Sequence, residues 1–360
     1  MRRTVEVAVV GAGIIGLATA HELLRRGVEV RVFEAARPGA GQSAGRTRIF
    51  RHSHRRLELV QLAVEARAAW EDLEERLGVP LLGREGMLLT GPSAEEVAAL
   101  LAAAGAPGRL LDARAQAEVM PILKPPGGPA LLDELGGSTD VRAAVHGLAR
   151  ALGERLTLAE VFAVDAGEPA LIETSEGLWE AGRAVLCAGA GVGTLGPAVG
   201  IEIPLTISCH ARVTFRVRDP SLAGRLPALQ EQTGEYGETV YAAAFPNEAL
   251  YAVGLSGEGS DVPIGPGRDA GAGALVERIA AYAREALPGL DPDPYGVRLC
   301  LQTLLPGGSD NFGIWRSGTV LALAGDNLFK FAPLVGRTLA GAACGESIPA
   351  WLVPGALPRR

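Results

Sequence analysis

Lysine is almost absent from this chain. Of its 34 basic residues only Lys124 and Lys330 are lysines, which leaves 32 arginines. The skew reflects composition more than mechanism, yet it makes each lysine that is kept worth questioning. Cysteine is scarce as well: Cys187, Cys209, Cys300 and Cys344 include no CxxC pair and imply no disulfide framework. No apolar stretch approaches the ~20 residues that a membrane helix needs. A net charge of −7, with no long run of basic residues, argues against a nucleic-acid face. His21, His52, His54, His146 and His210 show no metal-ligand spacing, and no Ser-His-Asp order or carboxylate pair stands out. The opening Met1-Arg-Arg imitates a secretory signal, but Glu6 interrupts the apolar run and the same residues are needed for a first strand. A cytoplasmic protein is expected.

What is present points to a large α/β protein. The chain has 360 residues, 48% hydrophobic and 21% charged, enough for one large domain or two interwoven ones. Val5-Glu-Val-Ala-Val-Val10 is β-branched and nearly continuous in apolar character, as in a strand buried on both faces. It runs directly into Gly11-Ala-Gly13-Ile-Ile-Gly16. Ile14 to Arg26 has helix period and stops at Gly27, and Val28 to Phe33 reads as a second parallel strand ending at Glu34. Each glycine has its own task. Gly11 makes the tight turn, Gly13 admits a pyrophosphate to the backbone, and Gly16 lets helix and strand pack closely. The helix N-terminus offers N–H groups and a positive dipole end to phosphates. Glu34 is placed to accept from the adenosine ribose hydroxyls, and its charge would repel a 2′-phosphate. With 48 glycines in the chain a lone GxGxxG would mean little; strand, glycines, helix, strand and acid together indicate an adenine dinucleotide.

Further along, a glycine-rich stretch from Arg37 to Arg46 leads into the basic run Arg48-Ile-Phe-Arg51-His52. Helices are expected at Leu57–Leu77, Ala94–Ala104, Val141–Ala151 and Leu334–Cys344. Strands are expected at Arg84–Thr90, Leu156–Val164, Ala211–Val217, Leu250–Gly254, Val297–Leu304 and Val320–Gly325. Lys124-Pro-Pro-Gly-Gly-Pro129 reads as a loop or boundary, and Arg183 to Gly191 as a second strand-to-glycine turn presented to the same cofactor. Rossmann-type signals at both ends and in the middle, with antiparallel signals between them, predict an α/β plus α+β fold. A cofactor domain (1–80, 141–205 and 306–360) would be interleaved with an antiparallel-sheet substrate domain (81–140 and 206–305).

Four motifs, taken in order, carry a resemblance: Gly11-x-Gly-x-x-Gly16 with Glu34, Thr47-Arg-Ile-Phe-Arg-His52, Arg298-Leu-Cys-Leu-Gln-Thr303 and Leu328-Phe-Lys-Phe331. The chain resembles the monomeric sarcosine oxidase-like flavoproteins of the D-amino-acid oxidase superfamily over nearly its whole length. The resemblance implies FAD as cofactor and a thioether from Cys300 to the flavin 8α-methyl. It implies Arg48 against the isoalloxazine, and Arg51 with Lys330 on a substrate carboxylate. It adds Gln42, Ser43, Val161, Gly189 and Gly325 to the residues expected at the cofactor. The chemistry suits these types, since a thiolate is the common side chain that adds to an activated flavin methyl and an arginine fork binds a carboxylate bidentately. Lys330, between Phe329 and Phe331, sits in a setting that rarely tolerates an idle ammonium. His52 reads as a hydrogen-bonding member of the flavin loop.

Departures from the pattern narrow the expectation. Where sarcosine oxidases carry a second lysine that promotes the reaction with oxygen, this chain has Ala252. Ala243 and Ser256 replace a pocket tyrosine and histidine, and Asp326-Asn-Leu328 replaces a Gly-His-Gly. These changes argue against sarcosine itself and against fast use of oxygen. The expected activity is oxidation of the C–N bond of a small amino acid, N-methyl or cyclic secondary amino acid to an imine. Oxygen is the expected acceptor, the alternative being a dehydrogenase of the same fold with another acceptor. No general base is evident, and no nucleic acid or membrane partner is expected.

Overall fold

The computed structural model describes residues 3–124, 127–232, 234, 239–257, 259–262, 264 and 268–354. Met1 and Arg2 of the opening segment, and Pro125 and Pro126 of the expected boundary loop, lie outside the described residues.

The first sheet is built on parallel strands in the order Val320–Gly325, Gly177–Leu186, Arg3–Val10, Val30–Glu34, Leu156–Leu158, with Phe312–Ser317 antiparallel at one edge. Both faces of its central strand are covered, which explains the continuous apolar run. Val7 and Val9 belong to a core with Leu17, Leu23, Trp70 and Leu339. Ala8 and Val10 belong to another with Ile172, Trp179 and Leu195. Helices Ile14–Arg25 and Ala332–Ala343 lie so close on the first face that a Cβ on Gly336 would come within 2.7 Å of the Ala18 Cβ.

The second face carries an antiparallel meander, Val161–Asp165, Ala170–Thr174 and Gly177–Leu186. The single strand expected from Leu156 to Val164 is therefore two. Leu156–Leu158 pairs in parallel with the end of Val30–Glu34, and beyond Ala159 the chain turns away to pair with Ala170–Thr174.

The second sheet has eight strands in the order Gly296–Leu304, Thr206–Arg216, Leu250–Ser256, Thr239–Ala244, Ala228–Glu231, Met87–Thr90, Ala130–Asp133, Gly108–Leu111. All pairings are antiparallel except that of Ala228–Glu231 with Met87–Thr90. One face is capped by the helix Arg268–Ala286, whose Leu275, Ile279 and Tyr282 share a core with Val213, Phe215 and Val253. The sequence reading leaves this segment unassigned, because alanine, glycine and charge dominate it. The other face, bearing His210, Arg212 and Tyr241, looks into the cavity between the sheets. A two-stranded ribbon, Thr47–Phe50 with Gly137–Asp140, bridges the sheets, and the Thr47 hydroxyl donates to the Ala244 carbonyl at 2.7 Å.

Candidate active site

A cavity of about 1580 Å³ runs between the sheets. That exceeds the ~300–1,000 Å³ of a site for one small ligand, so a dinucleotide and a second molecule have room. Its walls include Gly11, Gly13, Glu34, Gln42, Ser43, Arg48, Arg51, Gly189, Cys300, Gly325 and Lys330. Gly11 has φ +100°, and a Cβ there would lie 2.6 Å from the Cys187 carbonyl oxygen. Gly16 does not line the cavity; a Cβ on it would fall 2.0 Å from the Gly11 carbonyl oxygen, so it packs helix against turn. The Ile14 N–H at the helix start donates to the Ser43 hydroxyl at 2.9 Å. The Glu34 carboxylate accepts from the backbone N–H of Ala12 (2.8 Å) and Ala36 (3.0 Å), which fixes it at the mouth of the turn. Farther in, the Thr303 hydroxyl donates to the Gly325 carbonyl at 2.8 Å and accepts from the Gln42 amide at 3.1 Å, tying three segments together. Val161 stays at the start of its meander strand and does not reach the cavity wall.

The stretch after Phe50 divides its side chains between anchoring and lining. Arg48 donates to the carbonyls of Thr47, Gln42 and Ala44, at 3.0, 3.0 and 2.6 Å, and so holds the glycine-rich stretch in shape. Burial, with Arg212 nearby, pushes its pKa down to about 10. His52 turns away from the cavity: its Nδ1 lies 2.9 Å from Asp133, which also accepts from the backbone N–H of His52 and Ser53. It is an anchor to the second sheet. The histidine at the cavity is His54, stacked on Phe331 and pushed down to about 3 by burial and by Arg51 and Lys330. It is neutral and too weak a base to take a proton near neutral pH.

Arg51 and Lys330 meet at one carboxylate, and it belongs to the protein. Asp310 Oδ1 is 2.9 Å from Lys330 Nζ, and Asp310 Oδ2 is 3.6 Å from Arg51 Nη2 and 3.6 Å from His54 Nδ1. Lys330 lies on the turn Leu328–Phe331, 6% exposed, with its carbonyl accepting from Trp70 Nε1 at 2.8 Å. Burial lowers its pKa, against the pull of Asp310. Burial would raise the Asp310 pKa, but Lys330, His54 and Arg51 together hold it well below the usual range. Beside them Asp326, accepting from the Ser309 hydroxyl at 2.8 Å, is raised to about 7 by burial and by Asp310.

Sequence reasoning missed Asp310, because nothing near it is patterned, and it missed Arg212. The latter is 7% exposed and donates once, to the Thr47 carbonyl at 2.8 Å. Its Nε and Nη2, and the hydroxyl of neighbouring Tyr241, have no hydrogen-bond partner among the described residues. Ala252 is buried with Phe245 and Leu250, off the cavity wall. Arg212 lies on the adjacent strand, two positions from the pairing partner of Ala252, and lines it. Cys300 and Cys187 both line the cavity, but burial pushes the Cys187 thiol up to about 12. Among the described residues no cluster of three or more His, Cys, Asp or Glu is placed to hold a metal, and no helix is long and apolar enough to cross a membrane.

The glycine-lined walls, the fixed acid at the turn and the unpartnered buried donors fit a bound flavin dinucleotide. Comparison with known proteins agrees. The profile of the FAD dependent oxidoreductase family matches residues 6–342. N-methyl-L-tryptophan oxidase of Salmonella dublin is 25% identical, with 98% of each chain covered. Among solved structures, NikD, an unusual amino acid oxidase essential for nikkomycin biosynthesis, superposes with TM-score 0.85 at 23% identity over 99% of both chains. L-proline dehydrogenase from P. horikoshii superposes with TM-score 0.78 at 20% identity, over 97% of this chain and 96% of its own. Fold, site and profile agree: the chain belongs to the FAD-dependent oxidoreductase family.

Proposed function

We propose that this enzyme oxidises the C–N bond of a small amino acid, N-methyl or cyclic secondary amino acid, with its carboxylate held by Arg51 and Lys330. The observation that carries the reading is the convergence of these two cations on the Asp310 carboxylate at the cavity wall. A pocket that holds one carboxylate there has the charge and geometry for another. The amino-acid and N-methyl amino-acid oxidases among the relatives point the same way.

Gly11, Gly13 and Ser43 would hold the pyrophosphate of FAD, Glu34 the ribose, and Arg48, Gln42, Gly189 and Gly325 the inner part of the cofactor. When bound, FAD accepts the hydride equivalent that leaves the substrate carbon. The protein's share is to fix the carboxylate and so aim the C–H bond. With the amine neutral, loss of hydride leaves an iminium ion, which gives up its N–H proton to become the imine that water hydrolyses unless it is cyclic. His54 is not the base, whereas Asp326 beside the clamp is raised to about 7 and titrates near neutrality.

Covalent attachment through Cys300 belongs to the same reading, supported by its place on the cavity wall. Acid-precipitated protein should stay yellow and Cys300→Ala should release the colour. A bare polypeptide mass from fully loaded enzyme would refute attachment. Oxygen is the proposed acceptor, with the buried charges of Arg212 and Arg48 favouring an anion formed beside them. Ala252 keeps a dehydrogenase as the second reading. An anaerobic screen of amino acids and cyclic amines, followed by admission of air, tests both steps. Failure of every carboxylate-bearing amine to bleach the oxidised flavin band would overturn the proposed function.

A further inference from the structure

We propose that Asp310 is a built-in competitor for the substrate's carboxylate, filling the clamp of Arg51 and Lys330 in the resting enzyme and yielding it only when displaced. The proposal rests on the reading of those two residues as the substrate clamp. Its basis is geometric. One Asp310 oxygen faces Lys330 at 2.9 Å and the other faces Arg51 and His54, both at 3.6 Å. This two-sided arrangement is the one a ligand carboxylate would adopt between the same cations. Asp310 itself lines the cavity, so it occupies space the ligand would use.

The supporting loop is made for such an exchange. Between strands Gly296–Leu304 and Phe312–Ser317 the chain passes through Gly307 (φ +103°), Gly308 (φ +91°) and Asp310 (φ +59°). The glycine pair turns freely, whereas Asp310 holds a left-handed conformation that its Cβ disfavours. The ion pairs with Lys330 and Arg51 offset that cost while the clamp is closed on itself. The loop is tied down on either side of Asp310: Asn311 Nδ2 donates to the Pro306 carbonyl at 2.7 Å, and the Ser309 hydroxyl to Asp326 at 2.8 Å. Rotation of the Asp310 side chain therefore releases Lys330 Nζ and Arg51 Nη2 from its carboxylate with the loop remaining in place, while Arg51 Nη1 stays on the Ser53 carbonyl.

The competing role of Asp310 would be a brace that positions Lys330 and Arg51 for substrate, and the two predict opposite signs. The probe is acetate, with acetamide as its neutral isostere, titrated calorimetrically into the FAD-loaded enzyme. Asp310→Asn keeps the size of the side chain, and asparagine tolerates the left-handed backbone. This variant should bind acetate at least tenfold more tightly than the unmodified enzyme, leave acetamide unchanged, and lose the gain when Arg51→Met is added. Asp310→Gly, which relieves the backbone as well, should show the same gain. Equal or weaker acetate binding in both variants, still dependent on Arg51, would overturn the competitor and leave the clamp intact. Acetate binding that ignores both Arg51 and Lys330 would overturn the clamp reading and this proposal with it.

Discussion

Asp310, Lys330 and Arg51, with neutral His54 beside them, show how a few largely buried charges set both stability and pH response. Removing one partner of such a cluster leaves the other uncompensated, at a cost of about 3–5 kcal/mol. Lys330→Met should therefore lower the melting temperature well beyond the loss of one contact, and adding Asp310→Asn should recover much of it. A double-mutant cycle checks this, and additive effects would show the two side chains to be uncoupled. Asp326 makes a separate prediction. Its pKa is raised from 3.8 to about 7, so the folded state binds a proton there that the unfolded state does not. That contribution is present below the unfolded value and is lost as pH rises through about 7. Asp326→Asn should raise the melting temperature of the holoenzyme at pH 8 and change it little at pH 4. An equal shift at both pH values would refute the assignment. Arg212→Met should slow reoxidation in air of the photoreduced enzyme without releasing FAD; an unchanged rate in stopped flow would remove Arg212 from the oxygen reaction.

At the scale of elements, the sequence was most readable where periodicity and caps coincide. Leu57–Leu77 closes at Gly78 in the left-handed conformation, as its pattern leads one to expect. The first strand and its glycine turn were legible because burial on both faces leaves no room for polar alternation. The break after Leu158 was not, since it depends on which strand each half pairs with, and pairing partners lie far off in the chain. The roles of His52 and His54 were likewise hidden. Which of them faces the cavity is decided by Asp133 on a remote strand. Cys300, Arg51 and Lys330, all of which line the cavity, stood out because motifs carry them; Asp310 and Arg212 stand in no motif. One element contact is open to a direct test. Tyr241 lies flat over Gly254 on the next strand, where a Cβ would fall 2.4 Å from its ring. Gly254→Ala should cost about 1–3 kcal/mol in overpacking and displace Tyr241 from the cavity wall. Denaturant unfolding measures the first effect and the affinity for a substrate amine the second.

At the scale of the molecule, the chain leaves one sheet for the other four times: after Glu34, after Asp133, after Leu186 and after Leu304. Neither sheet can be excised as a contiguous piece, and the cofactor cavity lies where the crossings converge. The consequence concerns breakage. A single cut in the connection between Ala103 and Gly108, at exposed Gly105, would leave two fragments, the first holding Met87–Thr90 of the second sheet and the other its remaining strands, so that they stay interlocked through it. Nicked enzyme should therefore run as one species under native conditions and as two under denaturing ones. Catalysis would outlast the covalent continuity of the chain.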